Sequence, residues 1–290
     1  SVGTLQVLSG SGDILLNTGS TSIETANASS TITLGYVSGD TLVPSSVSNI
    51  KFVSDKFSSN GALVFNTSGT LVIEPFSQSF STDFNTTSLN YSADLSGLTI
   101  GKSGNASGIT IGSAANIAGP VTVYGGAIAI NAPVTSTGTV KLTGTTITDG
   151  ATGFINADKL ALLSGAVTLD HTSNSINTLA ASGVSALTFV NTGPLTIGTV
   201  NPTGITATGD VRIETLSGNL TIAENVTTTS TTANAVLLNA GKSTASGTAT
   251  GGNIIISGTP TITAGVGGTI RLMGGSVADS TGLTALVGSG

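Results

Sequence analysis

The sequence predicts an all-β chain wound as a right-handed parallel β-helix, a β-solenoid, on three observations. Short apolar couplets alternate with polar residues, turn-forming residues separate the couplets, and the couplets recur at the separation of one solenoid coil. The composition agrees. The apolar residues are mostly Val, Ile and Leu set among Thr, which favours strands, and only 8 Lys and Arg are present to furnish helix surfaces. Ser and Thr number 87 and Gly 40, a texture that disordered segments share. Disorder, however, goes with low hydrophobicity and high net charge. Here 38% of residues are hydrophobic, the net charge is −6 and the mean hydropathy is +0.39, so the chain can bury a core.

The couplets run in order through Leu63/Phe65, Leu71/Ile73, Leu98/Ile100, Ile109/Ile111, Val121/Val123, Ile128/Ile130, Val140/Leu142, Leu160/Leu162 and Val167/Leu169. They continue through Leu187/Phe189, Leu195/Ile197, Val211/Ile213, Leu220/Ile222, Val236/Leu238, Ile254/Ile256 and Ile270/Leu272. Most are apolar–polar–apolar, as in Leu98-Thr99-Ile100 and Val211-Arg212-Ile213, the period of a strand with one buried face. Gly, Asn, Ser, Thr and Pro fill the intervals and turn the chain.

Spacing then selects the architecture. Val121, Val140 and Leu160 open couplets at near-even intervals, and so do Leu220, Val236, Ile254 and Ile270. These intervals predict repeating coils of roughly 16–20 residues. About 14 such rungs, about 4.8 Å apart, would extend roughly 65 Å. A β-sandwich is the rival, with hairpin turns about every 8–12 residues. No aromatic residue follows Phe189, which counts against a sandwich core anchored on Trp or Tyr.

Two regions are expected within one continuous solenoid. Residues 1–95 read as less regular rungs with insertions, because eight of the eleven aromatics lie from Tyr36 to Tyr91 and Pro44 and Pro75 interrupt the pattern. Those aromatics are expected to pack in a small cluster of their own. Residues 96–290 read as regular rungs. Leu283 to Gly290 continue the pattern without a polar helical cap, which predicts an open edge able to pair with another copy. The start at Ser1, with no charged-then-apolar leader, reads as a processed product or an excised fragment.

Two stretches resemble the repeats of giant filamentous-haemagglutinin-type β-helix proteins of Gram-negative bacteria. One is Gly119-Pro120-Val121-Thr122-Val123-Tyr124-Gly125-Gly126, followed by Ile128-Ala129-Ile130-Asn131; the other is Gly267-Gly268-Thr269-Ile270-Arg271-Leu272, continuing through Gly274-Gly275 to Leu283. The resemblance covers nearly the whole chain in texture, most clearly residues 63–290. It implies a right-handed β-helix, export to the bacterial cell surface, and a role in adhesion or matrix formation. The absence of cysteine fits such a location. Arg-Gly-Asp does not occur, so adhesion through that triplet is excluded.

Charge and motifs narrow the chemistry. A chain of pI near 4.4 without a basic cluster lacks the electrostatic footprint of nucleic-acid binding. No apolar run approaches the roughly 18 residues of a membrane-spanning helix. One His and no Cys make no zinc set, and the Gly-Gly-x-Gly-x-Asp calcium repeat is missing: Gly251-Gly252 is followed by Asn253, and Gly267-Gly268 by Thr269. No cofactor, metal ligand or catalytic residue is assigned. Seven Asn-x-Ser/Thr sequons, at Asn27, Asn66, Asn85, Asn90, Asn105, Asn219 and Asn225, are about what composition alone yields.

Three features invite a functional reading. In Asp210-Val211-Arg212-Ile213-Glu214, alternation turns Val211 and Ile213 inward and projects Asp210, Arg212 and Glu214 outward together. Such a face could hold a sugar or Ca²⁺; the expectation is a solvated strand face with a self-compensating ion pair. His171 follows Asp170, but neighbours on a strand point to opposite faces, so the two are not expected to form a catalytic pair. Thr31-Ile32-Thr33 and Thr261-Ile262-Thr263 suggest an ice-binding array, which would need Thr in the same place on successive rungs; these pairs are expected to be out of register. The function expected is therefore a non-catalytic structural or adhesive segment of a secreted bacterial fibre. Its partners would be neighbouring copies or repeats, and glycans or matrix. The alternative is a β-helix protein that binds or cleaves carbohydrate.

Overall fold

The apolar couplets become strands, and the strands stack in parallel. The structure is a computed structural model; it describes residues 49–59, 62–283 and 286, and before residue 49 the backbone of the strands Thr4–Ser9, Ile14–Asn17, Ser22–Thr25, Thr31–Ser38 and Thr41–Leu42. The sequon at Asn27, Pro44, the side chains of Tyr36 and Phe57, and most of 284–290 lie outside the described residues. The chain forms the expected parallel β-helix. Among the described residues a single strand pairing is antiparallel, that of Thr31–Ser38 with Thr41–Leu42. No helix among the described residues is long and apolar enough to cross a membrane.

Two compact units divide the chain, Ser1–Gly144 and Thr145–Gly290. In the first, one face stacks Ile14–Asn17, Ile50–Val53, Thr70–Glu74, Gly97–Ile100, Val121–Tyr124 and the second half of Val134–Thr143. From Ile50 the register runs to Leu71, Leu98, Val121 and Val140. The coil from Leu71 to Leu98 is the longest of these and that from Val121 to Val140 the shortest. Other faces carry Ala62–Asn66 on Leu89–Tyr91, and Phe84–Asn85, Ile109–Ile111 and Ala127–Ile130 in succession.

The second unit repeats the scheme. Ile147, Val167, Leu187, Val211, Val236 and Ile270 stack on one face, at intervals that widen towards Ile270. A second face aligns Leu160 with Leu179 and Leu179 with Ile197, then Leu195 with Leu220 and Leu220 with Ile254. On a third, Ala181, Ile205, Val226 and Ile262 follow one another. Side-chain bonds between neighbouring coils measure the growth. Asn177 reaches back 19 residues to Asp158, whereas Asn225 accepts from the Thr261 amide 36 residues ahead.

The expected spacing holds for Val121 and Val140 but fails in the C-terminal third. Leu220 stacks on Ile254 and Val236 on Ile270, so consecutive couplets there belong to different faces of one coil. Longer coils accordingly make fewer than the 14 or so rungs that the short spacing at about 4.8 Å suggested.

Burial follows the alternation. Every couplet from Leu63/Phe65 to Val236/Leu238 is at most 2% exposed, each such side chain contributing about 1.5–3 kcal/mol of hydrophobic stabilisation. Of the early aromatics, Phe52, Phe65, Phe80 and Phe84 sit inside this same core rather than in a cluster of their own, whereas Phe76 is 52% exposed. Phe52 stacks in register with Ile73 and meets Phe65 edge-on at 6.4 Å, while Phe80 and Phe84 stack at 4.9 Å. Ile270, by contrast, is 39% exposed, because Ile270–Met273 pairs on one side only among the described residues.

Corners are made by residues whose side chains replace backbone ladder bonds. Asn191 is buried; its Oδ1 accepts from the Ile176 amide and its Nδ2 donates to the carbonyls of Ile176, Gly193 and Pro194. Asn174 Oδ1 likewise accepts from the Ile155 amide one coil earlier. An Asn at a corner thereby satisfies buried donors that no strand partner reaches. The same arrangement explains three of the sequons: Asn105 accepts from the Phe80 amide, Asn219 from Asn253 and Asn225 from Thr261. Gly119 marks a close approach, since a Cβ there would collide with the Ser96 carbonyl oxygen.

Candidate functional site

The strand Val211–Thr215 carries the densest charge, and its alternation is as expected for Val211 and Ile213, both fully buried. The three polar residues do not act together. Asp210 Oδ1 accepts hydrogen bonds from the hydroxyls of Ser230 and Thr232 and ties down the following loop. Arg212 instead reaches two residues along its own strand, Nη2 lying 3.0 Å from Glu214 Oε1 and 3.1 Å from Oε2.

Glu214 is not on a solvated face. Its side chain is 3% exposed, because Lys242 closes over it from the next coil with Nζ 2.7 Å from Oε2. Lys242 gets there through an excursion of the chain. Between Val236–Asn239 and Ile254–Ile256 the chain leaves the coil and folds back. The Gly241 amide donates to Thr215 Oγ1, the Lys242 amide to the Thr215 carbonyl, and the Ser243 amide to the Leu216 carbonyl. Burial alone would push the Glu214 carboxyl up. Hydrogen bonds from Lys242 and Arg212, and their positive charges, outweigh that and hold it below the usual carboxylate range.

Beside this cluster lies a shallow cleft of about 160 Å³. Asp170, Thr172 and Thr188 contribute polar groups to it, Val190 and Leu216 apolar ones, and Arg212, Glu214 and Lys242 the charges. Register explains the assembly: Thr188 stacks beneath Arg212 and Val190 beneath Glu214. Thr188, Val190, Leu216 and Lys242 were not singled out from the sequence, and Lys242 is the charged one among them. Its signal was scarcity, a Lys in the loop directly after the strand that stacks on Val211–Thr215, in a chain with only 8 Lys and Arg.

His171 lies at the corner before the strand Ser175–Asn191, and Asp170 does not orient it. The carboxylate that organises this corner is Asp149, accepting from the amides of Asp170 and His171 and from Asn174 Nδ2. His171 Nδ1 accepts from the Ser173 amide, which places the ring proton on Nε2, 3.1 Å from the Ala151 carbonyl oxygen. Both ring nitrogens are thus engaged by the turn, and the ring stacks on Phe154 at 5.8 Å.

Threonine turns out to be more ordered than expected. Thr148–Thr168–Thr188, Thr178–Thr196–Thr221 and Thr206–Thr227–Thr263 each form an in-register column on a different face of the second unit. Each column is one threonine wide. Cross-strand Thr pairs of this kind stabilise a sheet in their own right. In backbone register, Thr31 pairs with Ala62 and Thr33 with Val64.

Among the described residues no three His, Cys, Asp or Glu gather as metal ligands. The cleft offers hydrogen-bond donors from two cations, one exposed carboxylate, two hydroxyls and a small apolar surface. Compared with known proteins, the chain matches no family model, no curated protein and no solved structure.

Proposed function

We propose that this chain is a non-catalytic structural and adhesive segment of a secreted or surface-displayed bacterial fibre. The observation that carries the reading is the stack of parallel coils over an aliphatic core. Backbone hydrogen bonds then run from coil to coil, as in other solenoids where each repeat contacts its neighbours, and the outer faces are left to Thr, Ser and Asn. The resemblance of Gly119–Gly126 and Gly267–Leu283 to filamentous-haemagglutinin-type repeats supplies the bacterial surface and the adhesive role. Neighbouring copies or repeats and surface glycans are the partners proposed.

Carbohydrate binding is the second reading, favoured by the cleft beside Glu214. Cleavage has less support. A general acid needs a raised pKa, and Glu214 is held low between two cations.

Electron microscopy and fibre diffraction of the native material test the leading reading. Surface fibres with an axial repeat near about 4.8 Å, labelled by an antibody to this chain, are expected. A chain found wholly inside the cell would overturn it.

A further inference from the structure

We propose that the cleft between the 170–174 corner and the 240–252 excursion is a subsite for one neutral sugar residue of a glycan. This deepens the adhesive reading above and rests on it.

The cleft is built from extra chain. Asn219 and Asn253, bonded to each other across one coil, are 34 residues apart, where Asp158 and Asn177 are separated by 19 residues. The added length contributes no further rung; it folds back over Thr215 and Leu216 and delivers Lys242. Long excursions from a rigid scaffold are where binding groups concentrate.

The chemistry of the wall selects the ligand. Glu214, buried and bonded to both cations, only neutralises. Arg212 has committed Nη2 alone, leaving the donors on Nε and Nη1, and is 47% exposed; Lys242 Nζ has made one of its three bonds and is 42% exposed. Asp170 is exposed and its carboxylate accepts no hydrogen bond among the described residues. Donors and a free acceptor therefore line one cleft, together with the apolar side chains of Val190 and Leu216. A ligand complementary to all of them donates and accepts through hydroxyls and presents a C–H face. A sugar ring does this. A carboxylated ligand would meet Asp170 as a like charge, and a cationic one would meet Arg212 and Lys242.

The test is an array of immobilised neutral hexose and N-acetylhexosamine oligosaccharides beside uronate-bearing ones, probed with the intact chain. Asp170→Ala removes the free acceptor without breaking a side-chain bond, and Leu216→Trp fills the cleft. Glu224→Ala, which touches Thr199 outside the cleft, is the control. Expected are binding to neutral probes, loss of about tenfold or more in affinity for Asp170→Ala and Leu216→Trp, and no change for Glu224→Ala. No neutral probe bound at millimolar concentration, binding indifferent to both cleft variants, or preference for uronate probes would each overturn the proposal. The fates of the two readings separate cleanly. Surface fibres that bind no glycan sink only the subsite, and glycan binding by a chain confined to the cell interior sinks only the fibre.

Discussion

Within the second unit, the coils of 155–197 and those of 198–273 share strand register and core but differ in length. The early coils are short: Thr192 bonds to the Thr172 carbonyl 20 residues before it. Their long strands, Ile155–Leu169 and Ser175–Asn191, bend through the corners almost without a break. The later coils take more chain for the same stack, up to the 36 residues between Asn225 and Thr261. Their strands shrink to between 5 residues, in Val211–Thr215, and 2 residues, in Ile262–Thr263. The aliphatic interior is indifferent to this. Leu179 and Ile197 are fully buried, and so are Leu220 and Ile222. What changes is outside, where the extra chain supplies Lys242 and one wall of the cleft. Couplets set the stacking, and coil length sets what decorates it.

If that division is right, core truncation will ignore coil length. Leu179→Ala in a short coil and Leu220→Ala at the start of a long one are both expected to cost about 2–5 kcal/mol, the range for a buried Leu to Ala change. Urea midpoints measured for both will decide. A much smaller loss for Leu220→Ala would mean that the long coils are held by their loops instead.

Corner polarity comes next. Asn191→Ala strips the Ile176 amide and three carbonyls of their partner in a buried corner, at about 1–3 kcal/mol for each group left without water or a substitute. Asn225→Ala loses one bond to the Thr261 amide at an exposed corner and is expected to lose less than about 1 kcal/mol. Thermal melts of the two variants, side by side, check the ranking. Amide hydrogen exchange at Ile176 will show the unpaired donor directly.

The same contrast governs how much was legible in the sequence. Strand identity was, because Leu98-Thr99-Ile100 or Val121-Thr122-Val123 carries its period locally. Stacking partners were legible only where the coil is short, as for Val121 and Val140. Between Leu220 and Ile254 the intervening Val236/Leu238 couplet imitates a rung of its own, and no local pattern says that it occupies another face. The charged strand illustrates a second limit. Alternation correctly turned Arg212 and Glu214 outward, yet burial of Glu214 depends on Lys242, 28 residues away and brought close by backbone bonds to Thr215 and Leu216. Asp149, which organises the His171 corner from 22 residues upstream, was hidden for the same reason. The early aromatics suggested an excursion because Phe is unusual in this chain, whereas register simply sets Phe52 on Ile73 and Phe65 on Leu89–Tyr91.

The smallest expected effect tests the excursion itself. Glu214 has its pKa lowered by Lys242 and Arg212. Such a group stabilises the fold at pH values above the ordinary carboxylate pKa, and the contribution fades as pH falls through the lower folded value. Removing Lys242 as Lys242→Met raises the folded pKa towards the ordinary one, so the contribution shrinks and less remains to be lost in acid. Both cations are nearly half exposed, and solvent screening limits the effect to about 0.5–1 kcal/mol near neutral pH. Urea midpoints of the native chain and Lys242→Met at pH 7, 4.5 and 3 are therefore expected to differ most at pH 7 and least at pH 3. A gap that persists at pH 3 would show that the Lys242 ammonium stabilises the excursion by something other than its pairing with ionised Glu214, because methionine keeps most of the alkyl stem.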